Sequence, residues 1–93
     1  MKKILIIEDD QNILDIVSFN LKKEGYEVVT AADGEDGVLT FAEQRFDLVL
    51  LDIMIPKFNG LEVLDSIRAR SDVPVIIMSA KTSEEDRLDG LAR

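Results

Sequence analysis

Short apolar runs alternate with amphipathic stretches along the chain. Ile4-Leu5-Ile6-Ile7, Leu48-Val49-Leu50-Leu51 and Val75-Ile76-Ile77-Met78 are continuous apolar quartets, the pattern of strands buried on both faces of a parallel sheet. Residues 3–8, 26–31, 47–52 and 73–78 are read as strands, Tyr26 to Ala31 on its β-branched content. Pro74 has no N–H to give to a ladder, so it must lie at the first turn of its strand or on an edge. Between the strands the apolar period becomes helical. Ile13, Leu14, Val17 and Leu21 mark the inner face of a helix over about 11–24, with Gly25 in the C-cap region. Val38, Phe41 and Ala42 mark that of a helix over 34–44. Asn59 with Glu62 is a capping-box-like start for a helix with Leu61, Leu64 and Ile67 inward. Thr82 with Glu85 repeats the signature before Leu88 and Leu91.

The predicted order is β-α-β-α-β-α-β-α. Apolar strands alternating with amphipathic helices imply one doubly wound parallel sheet, covered on both faces and joined by right-handed crossovers. The pattern runs out at Arg93 inside the fourth helix, which is read as a single domain over 1–93 that stops short of a further strand. No internal repeat, low-complexity segment or linker interrupts it.

The strand ends carry the chemistry. The first quartet runs into Glu8-Asp9-Asp10, the second into Asp52 and the third into Ser79-Ala80. In open α/β sheets ligands bind at the carboxyl ends of the strands, so parallel neighbours would bring these groups to one point. Glu8, Asp9 and Asp52 held together would repel one another unless a cation sat among them. Mg²⁺ suits the set, since it takes oxygen ligands and combines one or two carboxylates with phosphate oxygens. Asp10 alone is better read as the cap of the following helix. Asp52 can act as a nucleophile, accepting a phosphoryl group as an acyl phosphate. The Ser79 hydroxyl and the Ala80 backbone N–H could bind the equatorial oxygens. Pro56 stiffens the loop after Asp52, and Gly60 lets it turn into its helix.

Composition narrows the field further. The chain has 93 residues, 46% apolar and 32% charged, as expected of a small globular domain. Eleven basic against 19 acidic residues give a net charge of −8, which disfavours nucleic acid and anionic membranes and favours cations. Cysteine and histidine are absent, which excludes disulfides, thiolate sites and histidine bases from this chain. No apolar stretch approaches the ~20 residues that span a membrane, and the start is too short for a signal peptide. A cytoplasmic location is expected. Rival chemistries fail on residue identity: a haloacid-dehalogenase-type phosphatase needs Asp where Met54 stands. Residues 8–12 lack the glycines of a dinucleotide turn, and Asp33-Gly34-Glu35-Asp36-Gly37 lacks EF-hand spacing. That last stretch is read as a turn and helix start.

From Lys3 to Arg93 the chain resembles the receiver domain of bacterial two-component response regulators. The resemblance rests on Glu8-Asp9-Asp10, Leu51-Asp52-Ile53-Met54-Ile55-Pro56, Asn59-Gly60 and Met78-Ser79-Ala80-Lys81, in order and at family-like spacing. It is nearest to receivers of transcription factors with a winged-helix output domain. The resemblance implies a flavodoxin-like fold with Asp52 as phosphoacceptor, charged by a sensor histidine kinase. It implies Mg²⁺ bound by Asp9 and Asp52, with Glu8 acting through water and Met54 through its carbonyl, and Ser79 as the switch residue on the phosphoryl group. Family receivers continue through a fifth strand and helix, and that strand ends in a lysine that pairs with the phosphoryl group; Lys81 does not match it by position. Their absence here leads to three expectations. Mg²⁺ should raise the melting temperature, the fourth-strand edge should be covered by self-association or a complementing chain, and phosphorylation should be slowed or lost. Two functions are therefore carried forward: a phospho-accepting signalling module that is not a conventional enzyme, and a receiver fragment serving as a structural or assembly unit without phosphotransfer. Direct DNA binding is disfavoured by the charge.

Overall fold

The computed structural model describes residues 2–52 and 59–78. Four strands, β1 (Lys3–Ile7), β2 (Glu27–Ala31), β3 (Leu48–Asp52) and β4 (Val75–Met78), form one parallel sheet in the order β2-β1-β3-β4. Three helices connect them: α1 (Gln11–Lys23), α2 (Gly34–Glu43) and α3 (Gly60–Arg68). This is the flavodoxin-like fold expected from the alternation of patterns. The chain reverses direction across the sheet between β1 and β3, the switch point of such sheets. Met54, Pro56, Ser79 and Ala80, the Thr82–Glu85 helix start and Lys81 lie outside the described residues.

Alternation along the strands divides the core in two. Leu5, Ile7, Val49 and Leu51 face Phe41, Val63 and Ile67 of α2 and α3. Ile4 and Ile6 face Leu14 of α1, with Leu48, Leu50 and Met78 packed against them. β1 is buried throughout its apolar quartet because it is flanked by β2 and β3 and covered on both faces. Pro74 sits just before β4, and its carbonyl accepts from Val49 N–H at 3.0 Å; a residue without a donor serves there at no cost.

The helix ends follow from their sequences. Asp10 accepts from the Asn12 and Ile13 N–H groups, Asp33 from Asp36 N–H, and Asn59 forms a reciprocal capping box with Glu62. Beyond α1, Gly25 has φ +96°. Gly25 N–H donates to Lys22 O and Tyr26 N–H to Leu21 O, the paired bonds of a Schellman ending, which needs a left-handed residue at this point.

Two inward assignments are corrected. Ala42 is exposed, because α2 contacts the sheet through Gly34, Gly37 and Phe41. A Cβ on Gly37 would lie 2.7 Å from Ile7 Cδ1, so the helix approaches β1 where it has no side chain. A glycine contact of this kind is invisible to apolar periodicity. Leu61, in the first turn of α3, is 63% exposed, and Val63 and Ile67 carry the contact instead. Tyr26 and Val73 fall outside their strands, though Val73 is buried in the core below β4.

Candidate metal and phosphoacceptor site

Strand register assembles the carboxylates. Ile7 of β1 lies opposite Leu51 of β3, so Glu8 and Asp52 emerge side by side at the sheet's carboxyl edge. Asp52 also pairs with Met78 of β4. One oxygen each of Glu8, Asp9 and Asp52 lies within 4.8 Å of the others. Glu8 and Asp52 are fully buried, at 1% and 0% exposure, and Asp9 is exposed. The structure thus brings together the three acids singled out in the sequence.

Glu8 is held from two sides. Its backbone N–H donates to Ala31 O at 3.0 Å, and its Oε2 accepts from Asp10 N–H at 3.0 Å. Its Oε1 is buried and receives no N–H or O–H from the described residues. The Glu8 pKa is raised from the ordinary 4.5 to about 7, chiefly by burial and also by the neighbouring Asp52 and Asp9 carboxyl groups, with the Asp10 N–H pulling the other way. Asp10 was legible in the sequence only as a cap. It also positions Glu8 through its backbone, a role set by turn geometry rather than by its side chain.

No cation among the described residues offsets these acids. Every described Lys and Arg lies at the start of β1 or in or beyond the last turn of a helix, at the opposite end of the sheet. Helix dipoles favour that arrangement: acids collect at helix N-termini, which in a parallel α/β unit adjoin the strand C-termini, and bases collect at the other end. The donor set fits a hard divalent ion. It is all oxygen, combines two buried carboxylates with one exposed, and includes a buried oxygen lacking a donor.

Residues 4–93 match the family model of the response regulator receiver domain. Among solved structures, the chemotaxis response regulator CheY4 of Vibrio cholerae is 34% identical, with a TM-score of 0.83 over 99% of this chain and 79% of that one. TrrA from Thermotoga maritima, in complex with Mg²⁺-BeF, is 38% identical, with a TM-score of 0.83 over 99% and 81%. A chain in the complex of histidine kinase ThkA with the response regulator TrrA is 39% identical, with a TM-score of 0.82 over 90% and 73%.

Proposed function

The chain belongs to the response regulator receiver domain family, and on that premise we propose that it is the phosphoacceptor module of a two-component phosphorelay. Asp52 takes the phosphoryl group from a sensor histidine kinase: an Asp52 oxygen forms the new P–O bond as the donor's P–N bond breaks and the imidazole leaves. The carrying observation is the cluster of Glu8, Asp9 and Asp52 at the β1/β3 edge. TrrA, solved with Mg²⁺-BeF and with a histidine kinase, supports the metal and the donor.

Glu8 and Asp9, with Asp52 and the Met54 carbonyl, would hold Mg²⁺. When bound, the ion offsets the charge of the carboxylates and of the transferred group. Ser79 and the Ala80 N–H bind the phosphoryl oxygens, and Pro56 and Gly60 shape the loop that follows the acceptor. The module is a cytoplasmic signalling phosphoacceptor rather than a conventional enzyme. Its output is transcription regulation through a winged-helix domain.

Intact mass after incubation with acetyl phosphate and Mg²⁺ tests this reading. One added phosphoryl group is expected, absent without Mg²⁺ and absent from Asp52→Asn. No addition to the wild-type chain would favour the alternative, a structural unit without phosphotransfer.

The partner at β4 is a second proposal. Among the described residues β4 pairs only with β3, and Ile76 and Ile77 are 52% and 43% exposed. An apolar edge whose backbone groups meet no second strand among the described residues invites another strand. Light scattering should show a concentration-dependent dimer of this chain; a monomer with slowly exchanging β4 amides would count against a second chain.

A further inference from the structure

At the end of the sheet remote from the carboxylates, a cavity of about 340 Å³ opens between the C-terminal ends of α2 and α3. Phe41, Phe46, Arg45, Arg70, Gln44 and Ser71 line it, with Ala42. No acid lines it among the described residues, in a chain where acids outnumber bases 19 to 11. At its floor the rings of Phe41 and Phe46 stack at 6.0 Å and 17°, and Lys3 Nζ lies 5.5 Å from the Phe46 ring centroid. The aromatic pair supplies the apolar part of the wall.

Arginines beyond helix C-termini are commonly explained by the helix dipole, and here that explanation is incomplete. The end of α3 is already closed by its own backbone, with Ala69 N–H donating to Asp65 O and Arg70 and Ser71 N–H to Ile67 O. Arg68 pins the following loop by donating to Ser71 O and Val73 O. The Arg70 guanidinium has neither an ion pair nor a hydrogen bond among the described residues, and neither has that of Arg45. Ser71 Oγ accepts from Val73 N–H at 3.0 Å, which fixes the oxygen and leaves its O–H able to donate. The Gln44 amide is likewise uncommitted. Arg45, Arg70, Ser71 and Gln44 thus line one concave site with no carboxylate among its described lining residues.

We propose that this cavity binds a phosphate group, free or carried by a small organic body. Arginine is suited to the task because its planar fork gives paired, charge-assisted bonds to phosphate oxygens. The volume falls within the range of small-molecule sites, and Phe41, Phe46 and Ala42 would contact an organic portion. The site stands apart from the carboxylate cluster and takes a ligand of opposite charge.

Titration of the 93-residue chain with inorganic phosphate and with adenosine monophosphate at constant ionic strength, followed by NMR of backbone amides and arginine Nε–H groups, tests it. Saturable shifts at Arg45, Arg70 and Ser71 are expected, weakened at least about tenfold by the combined R45Q and R70Q substitutions. Mg²⁺-induced shifts at Glu8 and Asp9 should be the same in that variant. Tighter binding of the nucleotide would mean that an organic body shares the cavity through its apolar wall, and equal binding that the phosphate alone is read. Linear, unsaturated shifts, or shifts that survive the double substitution, would overturn the proposal. If the variant does not fold, the wild-type titration decides by itself, because absence of saturable shifts at these residues overturns it too.

Discussion

Without metal, Glu8 is expected to withdraw on the order of 3 kcal/mol of stability as pH rises from about 4.5 to about 7, and millimolar Mg²⁺ is expected to restore most of it. The effect is assigned to Glu8, whose pKa is raised from an ordinary 4.5 to about 7 in the folded chain. Within that window the folded state holds a proton on Glu8 that the unfolded state has released. Stability therefore falls with rising pH, by up to 1.36 kcal/mol per pH unit. Below the window both states are protonated and the penalty is absent; above it the penalty is complete and constant. Mg²⁺ favours the ionised carboxylates, so it opposes the penalty where it is largest. Urea denaturation between pH 4.5 and 8, with and without Mg²⁺, measures both arms. Glu8→Gln should flatten the metal-free profile, since an amide has no such proton to lose. Equal slopes in the wild type and in Glu8→Gln would remove Glu8 as the cause.

Leu51→Ala is expected to cost about 2–5 kcal/mol, at the upper part of that range. Leu51 is fully buried and belongs to the cluster formed with Leu5, Ile7, Val63 and Ile67. Strand neighbours fix the backbone on both sides, with Ile7 opposite it in β1 and Ile77 in β4, so the cavity cannot close by a shift of β3. For a domain of this size each kcal/mol corresponds to about 4–8 °C in melting temperature. The substitution therefore takes a large share of a total stability of roughly 5–14 kcal/mol. Leu61→Ala is the control: at 63% exposure it should change stability by less than about 0.5 kcal/mol. Comparable losses at the two positions would mean that Leu61 packs into the core after all.

The pH-dependent loss of stability and the proposed chemistry have one origin. Burial of Glu8 and Asp52 at the strand tips makes the metal-free cluster costly and gives a divalent ion its binding energy. On the proposed reading, the chain would couple its stability to the ion through the same carboxylates that surround the acceptor Asp52.

Three apolar quartets determined β1, β3 and β4, and β-branched content determined β2; burial on both faces holds for the central β1, whereas β4 leaves Ile76 and Ile77 exposed because no strand beyond it is among the described residues. Asp10, Asp33 and Asn59 determined where the helices start, because capping is decided by one side chain and the N–H groups next to it. Glu8, Asp9 and Asp52 stood out for the same local reason: acids placed directly after apolar strands have no role in packing. Tertiary structure alone decided what lies across from what. The order β2-β1-β3-β4 puts Glu8 beside Asp52, although residues 9–51 lie between them in the chain, since strand pairing is settled by packing of the whole sheet and not by any local pattern. It also set the helix faces. Gly37, with no side chain to register in an apolar period, lets α2 close on Ile7 and turns Ala42 outward. The first turn of α3 leaves Leu61 in solvent while Val63 and Ile67 reach the core. The cavity holding Arg45 and Arg70 exists only where two helix ends, distant in sequence, meet beneath the sheet.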